Sequence, residues 1–305
     1  MPTRLDIARP DIVAHFDEAG YRVYNSKELG AVLSELRGFW RLAQSTTVEQ
    51  FAEYLEKKTR LRICTLISDL DEAQLTRYAW LPDREAPVSP FALGTSLRGG
   101  AYLSHASALY LHGLTDQLPA TLYVNKEQSP KGGQSGELTQ AGLDRAFARP
   151  QRASRLTYRY EDWRFVVLSG KHTRRLGVVT LPGPQGEPLA FTGLERTLID
   201  AVVRPVYAGG PAAVLAAFEA ARERLADPDG GWSVGRMLAT LKRLDYMYPY
   251  HQAIGFYMDR AGYPASSLDR LRRLGLELDF YLVHAIPPEQ REHDPEWRVY
   301  YPKGL

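Results

Sequence analysis

The chain has 305 residues, 44% hydrophobic and 24% charged, the balance of a globular protein that folds along its whole length. Its formal net charge of +2 neither demands nor excludes a nucleic-acid partner, so the placement of charge has to decide. A single cysteine, Cys64, rules out an internal disulfide and a thiolate zinc site. The charged N-terminus "MPTRLDIARPDIVAHF" lacks the apolar stretch of a secretory signal, and later apolar runs are too short to span a bilayer. A cytoplasmic protein is expected.

The first elements are short. "DIVAHFDEAG" predicts an amphipathic turn with Ile12, Val13 and Phe16 inward and Gly20 as its stop, followed by a brief strand at "YRVY". Asn25 or Ser26 caps a helix that buries Leu29, Val32, Leu33 and Leu36 and ends at Gly38. Thr46 or Thr47 caps a second helix, "TVEQFAEYLEKK", with Val48, Phe51 and Leu55 as its inward stripe. Two strands, "RLRICTLI" and "LTRYAWL", are joined by the acidic turn "SDLDEAQ". Helix, helix, strand, turn, strand is the order of a winged helix-turn-helix, with the hairpin as the wing. The proline-rich "LPDREAPVSP" reads as a linker, dividing the chain into domains at 1–85 and 90–305.

The second domain mixes strands and helices. "TLYV", "RLTYRY", "WRFVVL", "LGVVTL" and "PLAF" are predicted strands, the second and third a hairpin turning at Glu161 and Asp162. The loop "KEQSPKGGQSGELTQ" is too polar to pack. Helices follow at "TGLERTLIDAVV", where Thr192 and Glu195 have capping-box spacing, and at "GPAAVLAAFEAARERLA", "SVGRMLATLKRL" and "HQAIGFYMDRAG". "LDFYLVH" and "EWRVYY" return to strand. The fold class is therefore α+β, a small N-terminal winged helix and a larger mixed domain.

Catalytic and metal readings fail on spacing. In "YLSHASALYLHGL", His105 and His112 are seven residues apart, about 10.5 Å along a helix, too far to share one ion. A helix capped by Ser104 and stopped by Gly113 explains the stretch better, with both histidines structural. "SGKHT" resembles the end of a phosphate-binding loop, but Phe165 stands where the motif needs glycine, and "KGGQSGE" lacks nucleophile-elbow spacing. A metal-dependent nuclease would need Glu195, Asp200, Glu277, Asp279 or Lys303 at strand ends, whereas Glu195 and Asp200 lie on a predicted helix. Cys64 reads as a small buried hydrophobe, and the aromatic "YMYPYHQAIGFY" as helical core. No catalytic residue, metal ligand or cofactor is predicted.

Basic segments carry more signal. "KKTRLR" gathers Lys57, Lys58, Arg60 and Arg62, with Arg37, Arg41 and Arg77 close in sequence or pattern. In the second domain Arg145, Arg149, Arg152, Arg155, Arg159, Lys171, Arg174 and Arg175 form a stripe able to neutralise phosphates. Glu49, Glu53 and Glu56 on the second helix oppose this wherever they face DNA.

The stretches "AYLSHASALYLHGLTDQLP", "TLYVNKEQ", "GLERTLIDAVVRPVYAGG", "LDYMYPYHQAIGFYMDRAGY" and "WRVYYPKGL", in this order, resemble the AbiEi family of antitoxins over essentially the whole chain. The resemblance implies a winged helix-turn-helix that represses its own operon at inverted repeats. It also implies a C-terminal domain that supports antitoxicity against a nucleotidyltransferase-like toxin, directly or indirectly, and no enzymatic activity. The expected partners are double-stranded DNA and that toxin, with no membrane and a possible dimer on DNA. Thr46, Thr47, Gln50 and Tyr54 are the expected groove contacts. Lys57, Lys58, Arg60, Arg62 and Arg77 are the expected phosphate contacts of the first domain, and Arg152, Arg155, Arg174 and Arg175 those of the second. The rival readings are the metal-dependent nuclease and a protein-interaction module without DNA binding.

Overall fold

The structure is a computed structural model and describes residues 2–130, 136–226 and 232–305. The glycine-rich centre of the predicted loop, 131–135, with the serine weighed as a nucleophile elbow, lies outside the described residues. The fold is α+β.

The N-terminal region begins with α1 (Arg4–Ala19), longer than the predicted turn because Thr3 and Asp6 form a capping box at its start. Ile12 and Phe16 are buried, and Gly20 ends the helix at a φ of 70°. Then come β1 (Arg22–Asn25), α2 (Ser26–Leu36), capped by Asn25 with Glu28, and α3 (Val48–Lys58), capped by Thr47 with Gln50. The hairpin β2 (Leu61–Ser68) and β3 (Gln74–Trp80) follows. One face of this sheet meets the three helices in a core built on Phe16, Leu29, Phe51, Leu55 and Trp80.

The predicted linker is not free. Leu81 and Ser89 are buried, and the Ser89 hydroxyl donates to Glu187 Oε1 at 2.5 Å. Ser89 also caps α4 (Pro90–Ser96), a helix the sequence reading passed over. Next come β4 (Tyr102–Leu103), α5 (Ala106–Leu111), β5 (Thr121–Glu127), α6 (Gln140–Phe147), β6 (Thr157–Tyr160) and β7 (Trp163–Gly170). After β8 (Val178–Pro182) and β9 (Pro188–Thr192) the chain is helical through α7 (Leu194–Val203), α8 (Pro211–Glu223), α9 (Val234–Leu244), α10 (Tyr250–Arg260) and α11 (Ala265–Arg272). It ends in β10 (Phe280–Tyr281), β11 (Arg291–Asp294) and β12 (Val299–Pro302).

Nine strands form one sheet, in the order β1-β3-β2-β6-β7-β5-β4-β9-β8. The pairs β5 with β7 and β4 with β9 are parallel, and the others antiparallel. The hairpin joins the second region through Ile67 opposite Arg159 and Ser68 opposite Tyr158. The division at 85–90 therefore marks no break in the sheet, and Tyr21, Val23, Leu66 and Ala79 share a core with Phe91, Leu122, Phe165 and Phe191. A third core packs α7 to α11 against the small sheet β10-β12-β11 around Phe218, Tyr257, Met258 and Trp297. Gly255 allows the closest approach there, since a Cβ at that position would overlap the Trp297 ring.

Two predicted caps are corrected. Thr192 does not cap α7: Gly193 occupies the N-cap position, Thr192 bonds the Thr197 hydroxyl at 2.8 Å, and Glu195 instead accepts from Arg236 Nε at 2.7 Å. Ser104 does not cap α5 either, because its hydroxyl is shared with His105 Nδ1 at 2.9 Å and His105 occupies the N-cap position. Gly113, at a φ of 60°, follows the helix as predicted.

Candidate nucleic-acid interface

The physical chemistry of the site begins at the start of α3. Thr47 accepts from the Gln50 backbone, while Gln50 Oε1 accepts from the Thr47 N–H at 3.1 Å. The Gln50 NH2 group has no partner among the described residues, and the side chain is exposed. Thr46 is half-buried, and its carbonyl accepts from Arg37 Nη2 at 3.0 Å; Arg37 also bonds the Ala43 carbonyl and so closes the segment between α2 and α3. Arg37 thus acts inside the fold.

Tyr54 is corrected as a groove contact. It packs against the N-terminal core, and its hydroxyl donates to Asp6 Oδ1 at 2.9 Å, tying α3 to α1. Burial and then the Asp6 hydrogen bond push the Tyr54 phenol up to about 12. Bonds from Thr3, and then from Tyr54, hold the Asp6 carboxyl down to about 2.

At the other end of α3, Lys57 and Lys58 are exposed. Arg84 Nη2 donates to the Lys57 carbonyl at 3.4 Å, and Arg62 Nη2 donates to the Arg84 carbonyl at 3.3 Å. Arg62 and Arg84 therefore meet at the C-terminal end of α3, beside the exposed Lys57 and Lys58, where the helix carbonyls present negative potential, which favours cations there. Arg84 was missed because it lies in the stretch read as linker. Its cue was proximity in a proline-bounded return, which becomes visible only once Leu81 and Ser89 are known to be buried.

Two predicted phosphate contacts serve the fold instead. Arg60 pairs with Asp17, donates to the Pro82 carbonyl at 3.0 Å and lies 5.4 Å from the Trp80 ring centre. Arg77 is 5% exposed and spends its guanidinium on the carbonyls of Thr76, Ser96 and Leu97 at 2.8 to 3.3 Å. It neutralises the C-terminal end of α4 and cannot reach solvent. The hairpin tip also differs from a free wing. Asp69 N–H donates to the Thr157 carbonyl at 3.0 Å, and its carboxylate pairs with Arg159 at 2.6 Å and Arg164 at 2.8 Å. The tip is acidic and bound to β6. Of the three opposing glutamates, Glu56 anchors the Ile63 N–H at 2.9 Å, which leaves Glu49 and Glu53 exposed on α3.

In the second region Arg152, Arg155, Arg174 and Arg175 are exposed. Arg174 and Arg175 occupy successive left-handed positions at φ 55° and 56°, and Arg175 bonds the Gly100 carbonyl with its guanidinium 5.4 Å from the Tyr102 ring centre. Arg159 is occupied by Asp69 and Glu72. The predicted stripe is thus a set of separate groups. Arg152 belongs to a cavity of about 410 Å³ that also brings together Asn125, Lys171, Arg196, Asp200 and Arg204. Sequence reasoning did not assemble this cavity, although it had singled out "SGK", whose Ser169, Gly170 and Lys171 line it.

The two histidines have structural roles. His112 Nε2 donates to the Thr192 carbonyl at 2.7 Å, and burial lowers its basicity. Burial lowers His105 to about 3, with Arg204 and Arg196 adding repulsion, and its ring packs edge-on to Tyr207. Three of the four acids weighed for a nuclease have separate partners: Glu195 with Arg236, Asp200 with Arg196, and Asp279 with Arg298 and His293. Among the described residues no three His, Cys, Asp or Glu side chains are placed to hold a metal ion, and no helix is long and apolar enough to cross a membrane.

No protein-family model matches the chain, and no curated protein matches it in sequence. Among solved structures, the chain is similar in fold to the crystal structure of the Rv2827c protein from Mycobacterium tuberculosis. The TM-score is 0.55 at 14% identity, over 98% of this chain and 92% of that one.

Proposed function

We propose that the chain is a DNA-binding antitoxin that represses its own toxin-antitoxin operon, acting in the cytoplasm and without enzymatic activity. The observation that carries the reading is α3. It is an 11-residue helix with an exposed polar start at Thr47 and Gln50, and it ends beside the cations Lys57, Lys58, Arg62 and Arg84. Such a helix is about 16 Å long and fits a major groove about 12 Å wide. The order α1, β1, α2, α3, β2, β3 supports a winged helix-turn-helix reading. Because the hairpin tip is bound to β6, the phosphate contacts come from the base of the hairpin.

Gln50 reads bases in this account, and the four cations position the helix on the backbone. The antitoxin half, with a nucleotidyltransferase-like toxin as the partner, rests on the family resemblance of the motifs quoted above. Inverted repeats would place two protomers on one site.

A reporter gene under the DNA upstream of this chain's own gene tests the proposal. Supplying the chain in trans lowers reporter output, and Lys57→Ala with Lys58→Ala restores it. Output that the wild-type chain leaves unchanged refutes the repressor reading.

A further inference from the structure

The cavity beside α7 carries more positive side chains than carboxylates. Four cationic side chains line it, Arg152, Lys171, Arg196 and Arg204, against one carboxylate, Asp200. That carboxylate is already spent, since Asp200 Oδ1 accepts from Arg196 Nε at 2.7 Å with both residues buried. Burial opposes the Arg196 charge, but the Asp200 carboxylate outweighs it and holds the guanidinium above its ordinary pKa. Among the described residues neither Arg152, Lys171 nor Arg204 has a carboxylate partner within 4.0 Å.

The donors left over are specific. Lys171 Nζ gives two of its three N–H groups to the carbonyls of Leu244 and Asp245. Arg204 uses Nη1 on the Arg152 carbonyl at 3.0 Å and on the Tyr207 hydroxyl at 3.3 Å and lies 5.4 Å from the Tyr207 ring centre, leaving Nε and Nη2 without a hydrogen-bond partner among the described residues. Arg152 makes no side-chain hydrogen bond with the described residues and stands at the mouth. Lys171 is carried to the wall by the end of β7, where Gly170 has no Cβ to displace the Asn125 amide packed against it. Asn125 is 5% exposed and donates to the Tyr102 hydroxyl at 2.6 Å, while its Oδ1 is buried with no hydrogen-bond partner.

We infer that this cavity binds a small ligand carrying a diphosphate group. The three cations without carboxylate partners match an anion of about two to three charges, the load of adjacent phosphates near neutral pH, whereas a lone carboxylate would leave most of the excess unmet. The volume exceeds the phosphates alone and has Tyr207 and Tyr246 on its walls, so it accommodates a nucleoside diphosphate. The site does not depend on α3, so it stands or falls separately from the operator-binding reading.

Calorimetric titration of the full chain, without DNA, tests it, using ADP, inorganic pyrophosphate and adenosine as probes at two salt concentrations. The expected result is saturable 1:1 binding of ADP and pyrophosphate, none of adenosine, and at least a tenfold loss of affinity in Arg152→Ala and in Lys171→Gln. The exposed Lys242→Ala is the control and keeps wild-type affinity, with circular dichroism verifying the fold of every variant. Absent binding of both phosphate probes overturns the inference, as does binding that Lys242→Ala weakens as much as Lys171→Gln. Binding of a short single-stranded oligonucleotide through Arg152 and Lys171, with no binding of pyrophosphate, also overturns it, in favour of a nucleic-acid strand.

Discussion

Several arginines that sequence alone offers as free cations are spent inside the fold. Arg77, Arg60 and Arg37 look in sequence like the cations beside them, yet each bonds carbonyls or a carboxylate of the fold, Arg77 reaching across to the end of α4. No alternation betrays Arg77, because β3 lies between β1 and β2 and buries Arg77, Tyr78, Ala79 and Trp80 in succession, so no exposed position marks a period. His105 is the clearest titratable case. Its folded pKa, near 3, lies below the ordinary 6.5, so between these values the unfolded chain holds a proton that the folded chain does not. The stability it permits is complete above pH 6.5 and is lost as pH falls toward 3, by about 1.4 kcal/mol per pH unit. His112 and His251 are lowered in the same direction, mainly by burial. Urea unfolding at pH 7 and pH 5 is therefore expected to show a marked drop in stability, smaller in His105→Gln. Equal stability at the two pH values in the wild type would contradict neutral burial.

At the scale of elements, caps and periodicity made the N-terminal region legible. Asn25 and Thr47 begin α2 and α3 at positions the sequence offered, each with a side chain three residues on that closes the capping box. Where two requirements competed, the reading failed. Thr192 has capping spacing, but its hydroxyl goes to Thr197, and α4, with only seven residues, is too short to show a period. Thr47 joins the start of α3 to its exposed face, so Thr47→Ala is expected to lower stability by about 1 kcal/mol in urea unfolding, while Thr47→Ser retains the wild-type midpoint. An alanine variant as stable as the wild type would mean that the α3 start is held by the Arg37 bonds alone.

For the molecule as a whole, most strands were visible as separate runs, although β4 lay hidden in a stretch read as helix and β11 was passed over, while the pairing of β2 with β6 that makes the two regions one sheet was not visible at all. Register between distant strands depends on side chains more than 85 residues apart, such as Asp69 with Arg159, and local patterns carry no record of such pairs. For the same reason the basic stripe of the second region dissolved into separate groups, and the cavity near Lys171 drew its lining from six distant segments. The continuous sheet also presents α3 on a body whose hairpin tip is already engaged, so under the proposed repressor reading DNA recognition would fall to α3 and the cations at its C-terminal end. The most direct measurement is a titration of the purified chain against its own upstream DNA and a scrambled duplex, at two salt concentrations, repeated with Lys57→Ala and Lys58→Ala together. The account predicts tighter binding to the upstream DNA that weakens with salt, and a slope of log K against log salt shallower by about 2 in the double variant. Equal binding of the two duplexes, or a slope unchanged by the substitutions, would contradict it.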